Sequence, residues 1–288
     1  MTATARIEKA LETAFTRAEA PGCPGQLAAA MRYAVFPRGA RIRPRLTLAV
    51  AAACGEDEPS LVDAAAASIE LMHCASLVHD DLPCFDDATL RRGKSSVHKT
   101  YGERIAVLTG DGLIVLGFQV LSQGTGSPNR LGALVLTLAR AVGMPSGIAA
   151  GQAWECEATA DLSTYHRQKT GALFAGAAMM GAAACGAEPS QWRGLGEALG
   201  EAYQAADDIG DAASDEAALG KPVGRDVALG RPSLVAQFGM SGAMLRFDAL
   251  VDEALSSIPD CEGSADLKAL IATESRRLLP KDLSRVAA

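Results

Sequence analysis

This chain is short of several things. Aromatic residues make up 5% of it, histidines number four and tryptophans two, and few stretches alternate apolar and polar residues with the Val, Ile, Thr and Tyr enrichment of strands. That composition speaks against a β-sandwich or barrel. Its seven cysteines, at 23, 54, 74, 84, 156, 185 and 261, are odd in number, widely spaced and without a Cys-x-x-Cys pair. The pattern argues against a disulfide framework and a thiolate zinc site and fits a reducing compartment, so a cytoplasmic location is expected. Positive charge is in deficit: Lys plus Arg total 27 against 34 for Asp plus Glu, a net charge of -7. A globally basic nucleic-acid binder is therefore not expected, and any anionic ligand has to be held locally. The first twenty residues are broken up by charge and contain no apolar core segment, so no secretory signal is expected there. The longest nearly uncharged run, 172–187, is 16 residues of mostly Ala and Gly. It falls short of the roughly 20 residues that a bilayer needs, so it reads as a buried helix and no transmembrane segment is expected.

What the chain does have is helix-forming sequence. Ala, Leu, Glu and Arg dominate, 49% of residues are apolar, and the periodic segments are longer than strands usually are. Gly and Pro breaks leave predicted helices at 60–81, 103–121, 130–143, 170–185 and 190–212, among others. These predict an all-α fold, a bundle of about ten or more helices around a central apolar cavity. No long polar linker divides the chain, so residues 1–288 are read as one domain.

Carboxylates gather at two helix ends. A 20-residue apolar segment, 60–79, delivers Asp80, Asp81, Asp86 and Asp87 within eight positions. Pro83 disfavours helical geometry at Leu82, so the helix should loosen there and let Asp86 fold back toward Asp80. A solvated acidic helix end is the simpler reading of such a cluster alone, although carboxylates at a helix C-terminus oppose its dipole. The second cluster, Asp207, Asp208 and Asp211, ends another long apolar helix, with Asp207 and Asp211 four apart on one face. Two such clusters repel unless cations lie between them, and hard oxygen donors without Cys or His at ligand spacing suit Mg²⁺.

Basic residues flank these acids. Arg91, Arg92 and Lys94 follow the first cluster, and Lys221, Arg225 and Arg231 follow the second. Arg38, Arg41, Arg43 and Arg45 surround Pro44, and Lys169-Thr170 begins the helix rich in Gly and Ala. Surface salt-bridge pairing explains any one group by itself. Taken together, aspartates, Mg²⁺ and Arg/Lys clamps at the mouth of an apolar bundle imply a ligand with a diphosphate head and a hydrocarbon tail, an isoprenoid diphosphate.

At this level of detail the sequence resembles a known family. HDDLPCFDDATLRRGK resembles the first aspartate-rich motif of trans-isoprenyl diphosphate synthases in its bacterial form, with four residues between Asp81 and Asp86. YQAADDIGD resembles the second motif, and QKTGALF matches the Lys-Thr segment between them. The likeness spans about residues 35–235 and, within the family, points to bacterial geranylgeranyl diphosphate synthases of the carotenoid and chlorophyll-tail branch. It implies that Asp80, Asp81 and Asp86 hold two Mg²⁺ ions and that Asp207, Asp208 and Asp211 hold a third. It further implies that Arg91, Lys169, Lys221 and Arg231 grip an allylic diphosphate, and that Arg43, His73 and Arg92 grip isopentenyl diphosphate. Thr170 and Gln204, with Lys169, would face the developing allylic cation, and the family's homodimer is implied as well. Arg41 is open between a ligand and a helix-end partner, and His73 between a ligand and a core histidine. One departure stands out: Ala40 replaces a lysine that the family commonly places before Arg41.

Product length is read from α-helical rise. A residue five before Asp80 lies about 7 to 8 Å deeper along the helix. That residue is Ala75, followed by Ser76, both small; fifteen-carbon relatives carry an aromatic there, so the resemblance implies a twenty-carbon product. Met72 and Phe118 are candidate floor residues or ordinary core. A farnesyl diphosphate synthase, a terpene cyclase and a noncatalytic partner subunit are the competing readings.

Overall fold

Thr2 opens helix α1 (Ala3–Ala18), its hydroxyl accepting from the Ala5 N–H, and Ile7, Leu11, Ala14 and Phe15 recur on the buried face. α2 (Gly25–Val35) and α3 (Ile42–Ala53) lead to α4 (Pro59–Asp80), where Pro stands in the first turn and its missing N–H leaves nothing unsatisfied. A short ribbon, β1 (Leu90–Arg91) with β2 (Lys94–Ser95), precedes α5 (Val97–Tyr101), α6 (Glu103–Ser122), α7 (Pro128–Val142) and α8 (Ile148–Ala153). α9 (Ala172–Ala184), α10 (Arg193–Ala213), α11 (Leu234–Ser256) and α12 (Ser264–Arg276) follow, with α11 kinked at Gly239 (φ 68°). The computed structural model describes residues 1–36, 39–157, 167–213 and 233–280.

The helices expected at 60–81, 103–121, 130–143, 170–185 and 190–212 correspond to α4, α6, α7, α9 and α10. Apart from the antiparallel ribbon, with Leu90 opposite Ser95 and Arg91 opposite Lys94, the described residues form an all-α architecture. α9 is apolar on every side and runs through the middle, packed on α3, α4, α7 and α10. Its small residues set the spacing: a Cβ on Gly196 of α10 would fall 2.3 Å from Ala175 Cα, so these two helices meet backbone to backbone.

By length and composition α4 and α6 are both apolar enough to cross a bilayer. α4 is core, with 83% of its apolar window buried, whereas α6 buries only 39% of its window. Val107, Leu108 and Val115 of α6 are exposed, as are Val135 and Leu136 of α7. Charged residues within these helices had shortened the uncharged runs without removing the apolar character.

Candidate active site

α4 stops at Asp80 and the chain doubles back at once. The Leu82 N–H donates to the His79 carbonyl at 3.1 Å, Phe85 to Leu82 at 2.9 Å, and Asp86 to the Asp80 carbonyl at 2.9 Å, so the fold-back expected from Pro83 is present. Asp80 is buried and Asp86 half-buried. Asp80 Oδ1 lies 3.1 Å from Lys169 Nζ, which also lies 2.5 Å from Glu155 Oε1.

Lys169 and Thr170, expected to begin α9, instead occupy a single π turn, Arg167–Gly171, just before it. Thr170 Oγ1 donates to Gln204 Oε1 at 3.3 Å, and Gln204 Nε2 donates to Asp208 Oδ1 at 3.1 Å. Asp208 Oδ2 in turn accepts the Leu234 N–H at 2.8 Å, tying α10 to the start of α11. The π turn thus joins the two acidic helix ends, α4 through Lys169 and α10 through Thr170. α8 supports the turn from behind, where a Cβ on Gly151 would come within 2.4 Å of the Lys169 nitrogen.

Asp81 differs from Asp80. Its Oδ1 accepts from Arg91 Nε at 3.0 Å and Nη2 at 2.5 Å. Burial pushes the Asp81 carboxyl above the usual range while Arg91 works the other way; burial likewise opposes the Arg91 charge, but Asp81 more than offsets it. Arg91 belongs to the ribbon, whose two-residue turn is Arg92-Gly93 with φ 53° and 75°. The resemblance gave Asp81 to metal and Arg91 to a diphosphate; here each holds the other.

Beside this lies a second basic pocket. Arg43 Nη1 and Arg92 Nη2 each stand 3.4 Å from His73 Nε2, and the Arg43 guanidinium lies 4.5 Å from the centre of the Phe174 ring. Burial, then the repulsion of Arg43 and Arg92, pushes His73 well below its ordinary range, so the imidazole is neutral and accepts. Burial also lowers Arg43, whose Nε has no hydrogen-bond partner among the described residues. Arg92 packs on the backbone next to Ala40: its Cζ is 2.5 Å from where a Cβ on Gly39 would be.

The cluster expected around Pro44 separates. Arg41, in left-handed geometry (φ 52°), is buried and bonds to Glu70 at 2.6 Å, Glu8 at 2.9 Å and the Val35 carbonyl at 2.8 Å. Arg45 pairs with Glu274 at 2.7 Å. Residues two apart on a helix point to opposite sides, so of Arg41, Arg43 and Arg45 only Arg43 reaches the pocket, and Arg41 is a helix-end partner. Arg38, Lys221, Arg225 and Arg231 lie outside the described residues.

Asp207 and Asp211 are half-buried, one turn apart on α10. Among the described residues, no three His, Cys, Asp or Glu side chains gather closely enough to hold an ion by themselves. The donors of both helix ends are nevertheless all carboxylate oxygens, which fit Mg²⁺, an ion that takes one or two carboxylates and completes its shell with water and phosphate. Below Asp80, Ala75 is 1% exposed and Ser76 8%, so the expected apolar space is closed at this level. An empty apolar channel would forfeit packing on all its walls. Met72 packs on α6 at Gly117, beside the half-buried Phe118. Glu155 and Gln152, whose Nε2 donates to the Ser76 carbonyl at 3.1 Å, were not anticipated, because only the packing of α8 and the 3-10 turn after it brings them to the site.

Comparison with known proteins identifies the family. The family model described as polyprenyl synthetase matches residues 24–272. A geranylgeranyl diphosphate synthase from Cereibacter sphaeroides is 51% identical over 280 residues, 97% of either chain. A farnesyl diphosphate synthase from Geobacillus stearothermophilus is 37% identical over 273 residues, 90% of this chain and 91% of the other. A geranyltransferase from Helicobacter pylori, solved in complex with magnesium and isoprenyl diphosphate, has a TM-score of 0.78 at 27% identity, covering 95% of this chain and 97% of that one. With a match that runs from α2 into α12 and takes in both acidic helix ends, this chain belongs to the polyprenyl synthetase family.

Proposed function

We propose that this chain is a geranylgeranyl diphosphate synthase: a prenyltransferase that condenses isopentenyl diphosphate with an allylic diphosphate, farnesyl or shorter. The observation that carries the reading is the adjacency of two diphosphate-binding places of different character. One is bounded by Asp80, Asp86, Lys169, Thr170 and Gln204, the other by Arg43, His73 and Arg92. A terpene cyclase has use for the first alone. The 51% identity to a geranylgeranyl diphosphate synthase, against 37% to a farnesyl diphosphate synthase, favours the longer product.

Asp80, Asp86, Asp207 and Asp211 would hold magnesium, three ions in all by likeness to the family, with Asp81 aiming Arg91 and Asp208 aiming Gln204 in support. Bound magnesium supplies positive charge to the departing pyrophosphate. Lys169, with Lys221 and Arg231, steadies that pyrophosphate as the allylic C–O bond breaks and the electron pair leaves with it. The Thr170 hydroxyl and the Gln204 amide oxygen face the cation. Arg43, Arg92 and neutral His73 orient isopentenyl diphosphate so that its double bond attacks the allylic carbon, and the proton then lost goes to pyrophosphate. The tail runs past Ser76 and Ala75, and the unbranched Met72 side chain turns aside to admit it.

The chain acts as one catalytic domain, 1–288, located in the cytoplasm, and pairs through the exposed apolar face of α6 and α7 into a homodimer. Incubation with isopentenyl and farnesyl diphosphates and Mg²⁺, followed by product sizing, tests the reading. A twenty-carbon product is expected, with turnover abolished in Asp80→Ala and in Asp207→Ala while circular dichroism is unchanged. Cyclic hydrocarbon, no product, or near-normal rates in either variant would contradict it.

A further inference from the structure

Lys169 is to serve a diphosphate, yet its ammonium already lies against two carboxylates. Asp80 Oδ1 is 3.1 Å away and Glu155 Oε1 2.5 Å away, and all three side chains are at most 20% exposed. The two acids come from different elements, Asp80 from the last turn of α4 and Glu155 from a single 3-10 turn, Trp154–Cys156, that continues α8. This 3-10 turn is fastened to the π turn beside it, because Trp154 Nε1 donates to Gln168 Oε1 at 2.8 Å. Glu155 and Lys169 therefore ride on elements that are bonded to each other. Asp80 reaches Lys169 from across the site.

A lysine ammonium is a compact charge on a flexible four-carbon stem, and nothing intrinsic aims it. We propose that Glu155 is the positioning residue for Lys169: it retains the ammonium at the mouth of the site while Lys169 exchanges Asp80 for a phosphate oxygen. The inference rests on the prenyl diphosphate reading of the site and extends it. Glu155 also weakens the hold of Lys169 on Asp80, leaving that carboxylate available to metal. The sign of the effect separates positioning from plain electrostatics. An acid that acted only by its charge would repel a diphosphate, and its removal would tighten binding. An acid that aims Lys169 would, when removed, loosen it.

The test uses the full-length protein, with calorimetric titration of inorganic pyrophosphate in Mg²⁺ and separate KM values for farnesyl and isopentenyl diphosphates. Glu155→Gln is expected to weaken pyrophosphate binding and raise the farnesyl diphosphate KM by about 10-fold, the scale of one charge-assisted hydrogen bond, leaving the isopentenyl diphosphate KM unchanged. Glu155→Asp should recover most of the loss, and in a Lys169→Ala background Glu155→Gln should add nothing. Unchanged or tighter pyrophosphate binding, or a full additional loss in the Lys169→Ala background, would overturn the proposal. If Glu155→Gln does not fold, Glu155→Ala takes its place: a selective rise in the farnesyl diphosphate KM that Glu155→Asp largely restores supports the role, and no change or an equal change in both KM values refutes it. Failure of the wild-type protein to elongate any primer would instead count against the functional reading, and the pyrophosphate titration would still decide the role of Glu155.

Discussion

One methyl group at Gly151 probes how the π turn is held. The added Cβ would stand 2.4 Å from Lys169 N, 2.6 Å from Gln168 C and 2.6 Å from Lys169 Cα. Non-bonded carbons rest at about 3.5 to 4.0 Å, so the turn has to retreat by about 1 Å. All three contacts are backbone, so no side-chain rotation relieves them. Gly151 lies within α8, where Ala is favoured by about 1 kcal/mol, against about 1 to 3 kcal/mol for the crowding. The net loss of stability is then at most about 2 kcal/mol. Activity responds more steeply, because a displacement of about 1 Å in a group that grips the substrate is worth roughly 100-fold in rate. Gly151→Ala should therefore lower kcat/KM for the allylic substrate by about two orders of magnitude while the melting temperature falls by only a few degrees. Steady-state kinetics at varied farnesyl diphosphate, paired with thermal melts, measure both. Wild-type kinetics in a folded Gly151→Ala protein would show that α8 does not set the position of Lys169.

Arg41→Met should destabilise the fold by about 3 to 5 kcal/mol, because Glu70, 1% exposed, loses its buried partner; an unchanged melting temperature would refute the pairing. His73 has a folded-state pKa well below its ordinary 6.5, so the unfolded chain takes up this proton first as the pH falls. The stability it contributes is complete above about pH 6.5 and is lost from there toward the depressed value. Melts at pH 7.5 and 5.5 should accordingly differ less in His73→Gln than in the wild type, and equal differences would exclude the effect. Ala75→Tyr should shorten the product from twenty to fifteen carbons, and an unchanged chromatographic ladder would remove Ala75 from the wall of the tail channel. Val115→Glu on the exposed face of α6 should convert the proposed dimer to a monomer in sedimentation runs; a protein already monomeric before substitution would dispose of that interface.

The acidic helix ends were readable because their causes are local. Pro83 dictates the break after Asp80, and the four-residue interval of Asp207 and Asp211 follows from helical period alone. What stayed hidden depends on contacts distant in the chain. Arg41, Arg43 and Arg45 look like one group on paper, yet Glu8 and Glu70, Phe174 and His73, and Glu274 draw them to three different places. Lys169 and Thr170 read as the start of a helix because the π turn carries no composition of its own. Asp81 looks equivalent to Asp80, and only the Arg92-Gly93 turn, which swings Arg91 onto it, tells them apart. The neighbourhood of Ala40 is equally nonlocal, since Arg92 reaches the adjoining Gly39 from a hairpin some fifty positions away.

The central α9 carries mostly Ala and Gly, and every residue of it after Ala172 is buried. Nine of its thirteen residues are Ala or Gly with no side-chain torsions to change, so most of the axle of the molecule cannot yield when a lengthening chain presses on it. Most of the give the enzyme has must come from longer side chains such as Met72 of α4 and Phe118 of α6, which have torsions to change. Attempts to retune product size should accordingly succeed along the seam between α4 and α6 and merely unfold the protein when aimed at its middle.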